Sequence, residues 1–180
     1  MGRTADVRRD FVELWGSLGG YWGIPPATAR VYAWLLSQAE PCGAEAIVEG
    51  LGMSRGAVSM AARELRDWGL VHVERVPGSR QALYRAETDL EVAIRNIVRT
   101  RKRREWDPLL ARLRAWIEEL ARERGAEAET FRERLGAIEA LVGMADSMAD
   151  SFLKGGMVQK LGLKVLVASA RRQGRRRSGP

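Results

Sequence analysis

The sequence predicts a mainly α chain: helices, a two-stranded β hairpin, then long helices that need a partner surface. Three observations carry this. A short glycine turn in "EGLGMS" joins two stretches of helical periodicity. After Gly69 the texture changes to the β-branched run "LVHVERV", the turn signal "PGSR" and then "QALYRAE". Beyond Asp89 apolar residues return at helical spacing and persist for some sixty residues. Helices closed by a hairpin of this kind make a winged helix-turn-helix domain, with the β wing at its tip and dimerisation helices behind it.

Each element has its own signal. Val7, Phe11, Leu14, Trp15 and Leu18 fall on one helical face, and Gly19 and Gly20 should stop that helix. "GIPPATARVYAWLLSQAEP" places prolines where a helix begins, an apolar run through Val31, Trp34, Leu35 and Leu36, and a proline after it. "GAEAIVEGLGMS" gives a short helix with Ile47, Val48 and Leu51 inward, a turn at Gly52, and Ser54 as the cap of the next helix. The wing tip is expected at Pro77 to Gln81.

Leu90, Ile94, Ile97 and Val98 start another helix, expected to end in "RTRKRREW". Asp107 and Pro108 read as a cap and first-turn proline where a new helix starts. Leu109, Leu113, Trp116, Ile117 and Leu120 form one stripe, and Phe131, Leu135, Ile138, Val142, Ala145, Met148 and Phe152 another, with a break near Gly125. Such stripes must be buried, and a second copy of the same helices is the simplest cover. "GGMVQKLGLKVLVASA" is read as one more helix. The expected organisation is a flexible N-terminus over 1–9, a winged domain over 10–89, a helical dimerisation region over 90–170, and a disordered basic tail over 171–180.

Composition narrows the chemistry. The 180 residues are 46% hydrophobic, enough for a core, and no apolar run is long enough to cross a bilayer. The opening "MGRTADVRRDFVEL" lacks the apolar segment of a secretory signal, so a cytoplasmic location is expected. With one cysteine, Cys42, and one histidine, His72, neither a disulfide, a cysteine zinc site nor most hydrolase centres can be assembled. No enzyme activity, metal or cofactor is expected.

Net charge is +7, of which five positive charges sit in the tail "RRQGRRRSGP". From Arg55 to Glu105 twelve basic residues face seven acidic ones, whereas from Asp107 to Lys154 seven face ten. The middle of the chain is therefore suited to a polyanion, and double-stranded DNA is the expected partner. The tail would add non-specific affinity through counterion release.

The stretch "SRGAVSMAARELRDWGLV" concentrates that expectation. At about 100° per residue, Val58, Ala61, Ala62, Leu65 and Trp68 share a face suited to a core. Gly56, Ser59 and Arg63 lie opposite, flanked by Arg55 and Arg66, with Met60 and Asp67 at the other edge. Small residues let a helix approach base edges closely, and arginine pairs bidentately with guanine. Ser54 and Ser59 can reach phosphate or base, and Arg75, Arg80 and Arg85 on the hairpin can reach the minor groove or the backbone.

These residues also carry a resemblance. "GIPPATARVYAWLL", "AEAIVEGLGMSRGAVSMAARELRDWGLVHVERVPGSR" and "RAETDLEVAIRNIVRTRKRREWDPLL" resemble the GbsR/MarR-type transcriptional regulators, most of all the GbsR branch, over Leu14 to Leu120. The resemblance implies a dimeric winged-helix repressor, DNA contacts by Ser54, Arg55, Gly56 and Ser59, and wing contacts by Ser79 and Arg80. It also implies that some relatives sense choline or related osmolyte precursors, but no motif in this chain fixes such a ligand.

Other features have two readings each. Trp15, Tyr21 and Trp22 could cage a small organic cation of quaternary ammonium type as an effector, or serve packing. Residues 99–104 could grip a DNA backbone or pair with Glu105 and Asp107. Cys42 in a loop could sense oxidants or be a plain small residue, and His72 is expected to be structural. A winged-helix architectural or protein-interaction module without sequence preference is the alternative function.

Overall fold

The computed structural model describes residues 2–21, 23–75, 78 and 81–155. Among the described residues eleven elements follow in order: α1 (Arg3–Tyr21), α2 (Pro26–Leu36), β1 (Cys42–Gly43), α3 (Ala44–Leu51), α4 (Arg55–Asp67), β2 (Val71–Arg75), β3 (Ala82–Ala86), α5 (Leu90–Arg101), a π-helical segment (Lys102–Trp106), α6 (Asp107–Leu120) and α7 (Ala126–Leu153). This is a mainly α, winged-helix architecture with a long C-terminal helix. The chain divides into two units between Asn96 and Ile97, within α5. Among the described residues no helix is long and apolar enough to cross a membrane.

In the first unit the core is built by α2, α3 and α4. Val31, Ala33, Ile47, Val58, Ala61, Ala62 and Leu65 are all but sealed from solvent. Pro25 precedes α2 and Pro26 occupies its first turn, where a missing N–H costs nothing. α3 ends at Gly52, whose φ of +61° is the left-handed conformation that glycine adopts most readily. Thr28 Oγ1 donates to Glu64 Oε2 at 2.6 Å, tying α2 to α4.

α1 packs against α2 through close approaches of Gly16 and Gly19 to Arg30 and Ala29. The segment expected to be flexible, 1–9, is instead mostly helix, since α1 begins at Arg3. Asp6 lies in its first turn and pairs with Arg9 at 2.9 Å, while an Arg8 guanidinium N–H donates to the Ser37 carbonyl. These contacts hold the first turns of α1 in place.

The sheet has three antiparallel strands in the order β1-β3-β2, where a two-stranded hairpin was expected. The register of the hairpin runs from Val71 opposite Ala86 to Arg75 opposite Ala82. The added strand is two residues long, with Cys42 opposite Tyr84 and Gly43 opposite Leu83. So short a strand exists only through its partner, and two residues cannot carry an alternating pattern. Cys42 is consequently half-buried rather than loop-exposed, and burial pushes its thiol pKa up, which disfavours the thiolate that oxidants attack.

A hydrogen-bonded joint ties the sheet to α2 and α5. Tyr32 Oη donates to the Glu87 carbonyl at 2.8 Å, and burial, with the nearby Glu87 charge, pushes the phenol pKa up to about 12. The Asp89 N–H donates to Glu87 Oε1 at 2.8 Å, and His72 Nε2 meets Glu87 Oε2 at 3.0 Å. The Asp89 amide, then His72, hold the Glu87 carboxyl below its ordinary pKa against the opposing effect of burial. Asp89 in turn accepts from the N–H groups of Glu91 and Val92, capping α5.

In the second unit the helix expected to end in the charge run continues through it. Lys102–Trp106 forms a π-helical turn leading directly into α6. Asp107 is helical, with φ −59° and ψ −47°, and is therefore not the expected cap. Pro108 offers no N–H to the preceding turn, and widening that turn lets the helix pass it. Lys102 Nζ donates to Asp107 and Asp146 and lies 3.5 Å from Asp150, so the pairing alternative for this basic run is realised here and at Arg101–Glu105. α6 and α7 turn about Gly125 and run antiparallel, with Arg114 paired to Glu139 at 2.9 Å.

The stripes of α6 and α7 divide between two faces. Leu110, Leu113, Ala128, Leu135 and Ala149 are buried. Leu109, Trp116, Phe131, Ile138, Leu141, Met144 and Met148 remain exposed. The expected further helix in "GGMVQKLGLKVLVASA" lies outside the described residues apart from Gly155, and the 171–180 tail does so entirely.

One substitution tests how closely this core is fitted. A Cβ on Gly50 would collide with the indole of Trp34, a nearly buried ring. Gly→Ala in a helix ordinarily stabilises by about 1 kcal/mol, but forcing an overpacked contact costs about 1–3 kcal/mol. Gly50→Ala should therefore lower stability in urea denaturation; an increase would mean that Trp34 moves aside freely.

Candidate nucleic-acid interface

α4 is placed by its caps and by its buried face. Ser54, with φ −68° and ψ 150°, precedes the first turn, and its Oγ accepts from the Ala57 N–H at 3.2 Å. That bond satisfies one of the amide donors left open at a helix start. Val58, Ala61, Ala62, Leu65 and Trp68 are buried, as their spacing requires. The opposite strip is consequently presented outward: Ser54, Arg55, Gly56, Ser59, Arg63 and Arg66 are all exposed. Met60, at the edge of this strip, is 75% exposed.

Gly56 is informative because nothing among the described residues requires it. A Cβ built there would meet no atom within 4 Å. Its backbone is helical, so neither a positive φ nor internal crowding explains a residue that costs a helix about 1 kcal/mol relative to alanine. Close approach by something outside the chain would explain it.

The electrostatics of the strip include one partner that sequence spacing could not reveal. Arg55 Nη2 lies 2.9 Å from Glu45 Oε2, which sits in the first turn of α3, across the glycine turn. Arg66 lies 3.8 Å from Asp67, which sits at the opposite edge of the strip. On the hairpin Arg75 is exposed at the end of β2. Arg85 instead forms a 2.9 Å ion pair with Glu74 on the neighbouring strand, so its charge is already engaged. Ser79 and Arg80, the other expected wing contacts, lie outside the described residues, as do Val76 and Pro77.

Of the aromatic residues expected to cage an organic cation, the two that are described, Trp15 and Tyr21, do not face one another. Trp15 stacks against Phe11, ring centroids 5.3 Å apart and tilted by 43°. Tyr21 is 87% exposed, and six residues along a helix place it about 240° around the axis from Trp15. Trp22 lies outside the described residues.

Comparison with known proteins follows the same geometry. Residues 22–82 match the model of the MarR family, a span that takes in α2, α3, α4 and β2. No curated protein matches the chain. A crystal structure of a transcriptional regulator superposes with a TM-score of 0.64 at 20% identity, covering 82% of this chain and 95% of that one. At that identity the likeness is one of fold. Over residues 22–82 the chain is similar in sequence to the MarR family, and over most of its length it shares the fold of that transcriptional regulator.

Proposed function

We propose that this chain is a sequence-specific DNA-binding transcriptional regulator that works as a homodimer and represses by occupying its site. The observation that carries the reading is the outward strip of α4. It joins a capped helix start, a glycine with no internal purpose, two serines and three arginines on a helix whose other face is locked into the core. In the major groove, the open N-terminal turn would let Ser54 and the amides near it meet phosphate, while Arg55 and Arg63 reach base edges. Ser59 and Gly56 set how near the backbone can come. The exposed Arg75, with Ser79 and Arg80 beyond it in the sequence, would hold the flanking backbone or minor groove.

The homodimer rests on the apolar residues left open on α6 and α7. Phe131, Ile138, Ala145 and Phe152 recur every seventh residue, and Leu141 and Met148 fall between them at the three-four spacing of a helix-pairing seam. Two copies joined along this seam would present two α4 helices to half-sites about one helical turn apart. The finer resemblance to the GbsR branch agrees with this reading, but Trp15 and Tyr21 are not carried into it as an effector site.

Three results test the proposal. Gly56→Ala should raise the stability of the free protein by about 0.5–1 kcal/mol and weaken binding to a selected DNA site, a divergence that an ordinary surface glycine would not give. Arg55→Ala should reduce discrimination between preferred and altered sites by about 1–3 kcal/mol, whereas Arg75→Ala should weaken all duplexes alike and lower the salt slope by about one. Sequence-blind losses in both variants favour an architectural protein. Leu141 is 64% exposed, so Leu141→Asp should leave the helical circular dichroism intact and convert a dimer to a monomer in sedimentation equilibrium. An unchanged dimer would place the interface elsewhere.

A further inference from the structure

The ion pair at the start of α4 joins two groups whose roles in DNA binding should oppose each other. Arg55 Nη2 and Glu45 Oε2 are 2.9 Å apart, with the side chains 79% and 58% exposed. A pair so open contributes little to folding. It is not needed to start α4 either, since Ser54 already caps that helix. Its effect falls on the arginine itself. A free arginine in water samples many rotamers, and fixing it on DNA carries an entropy cost. A carboxylate that holds one Nη leaves the remaining guanidinium donors directed and available, and a bidentate contact to guanine O6 and N7 needs only two of them.

We infer that Glu45 is a positioning residue that sets base choice through Arg55: it pre-orients the guanidinium for a guanine and its own negative charge penalises duplexes that offer no such contact. This rests on the reading that α4 enters the major groove. Specificity is a difference between two affinities, and Glu45 acts on both. At the preferred site the guanine contact is made by an arginine already held. At other sites the carboxylate lies beside the leading end of α4 and repels the phosphates that the surrounding arginines attract. Glu45 therefore lowers non-specific affinity while sharpening the preference at one base pair. Spacing alone could not expose the pair, because the two residues lie on different helices, ten positions apart across the Gly52 turn.

The test is selection from randomised duplexes at fixed salt, with the full-length protein and the variants Glu45→Gln, Glu49→Gln, Arg55→Ala and Glu45→Gln/Arg55→Ala. Glu49, exposed one turn further along α3, controls for loss of a carboxylate that is not paired with Arg55. Glu45→Gln should melt like the wild type and bind random duplexes more tightly. It should relax the preference about 1.5- to fivefold, the range set by losing an exposed ion pair, and only at the base pair that Arg55→Ala also relaxes. The double variant should be no less selective there than Arg55→Ala alone, Glu49→Gln should keep the full preference, and Glu45→Asp should recover part of it. The inference is overturned if Glu45→Gln keeps its preference at that base pair, or relaxes every position evenly. A wild-type protein that selects no motif overturns the groove reading itself, and this inference with it; the two failures are thus told apart by the wild-type selection.

Discussion

The burial of one face of α4 governs what the first unit can present to a partner. Val58, Ala61, Ala62, Leu65 and Trp68 are held against the core, and each large side chain among them contributes about 1.5–3 kcal/mol by leaving water. The two alanines keep the interhelical distance short, and the Thr28–Glu64 hydrogen bond fixes α4 against α2 from its flank. Rotation of α4 by one residue would bury Ser59 and Arg63 and turn Ala61 and Trp68 outward. Core packing therefore chooses which residues face outward, before any partner is considered, and it chooses small and basic ones.

The hairpin is fixed with comparable economy. β3 is the central strand, paired on both sides, and its end runs into the Glu87–Asp89 corner that Tyr32 and His72 also engage. The corner is thus tied to α2, to β2 and to the start of α5 at once. In this setting the single histidine is engaged by the Glu87 carboxylate. The base of the wing is positioned by the same core that positions α4, so the two surfaces proposed to meet DNA have a common support.

Much of this was legible because it is written locally. Ser54 as a cap, Gly52 as a left-handed turn and the five-residue apolar face of α4 each follow from side-chain chemistry within a few positions. β1 was not, because two residues have no periodicity and acquire strand geometry only from Tyr84 and Leu83. The opening of α1 looked loose for a similar reason: its stabilising contact from Arg8 reaches Ser37, 29 residues away. At Asp107–Pro108 the local rule pointed the wrong way, since a π-helical turn absorbs the proline that would otherwise end the helix. Of the candidate interface, the exposed strip could be read from spacing, while the Glu45–Arg55 and Glu74–Arg85 pairs required the fold.

The two-faced α4 connects these observations: one side specifies the core and the other is left free to specify a ligand. On its polar face Arg55 pairs with Glu45 and Arg66 with Asp67, and neither pair calls for a glycine at Gly56. The most direct measurement is amide chemical-shift mapping of the full-length protein on titration with a duplex it selects. The account predicts that the largest perturbations fall on the amides of Ser54, Gly56, Ser59 and Arg63, with smaller ones along the hairpin. Perturbations that spare α4 and gather on other basic surfaces would contradict it.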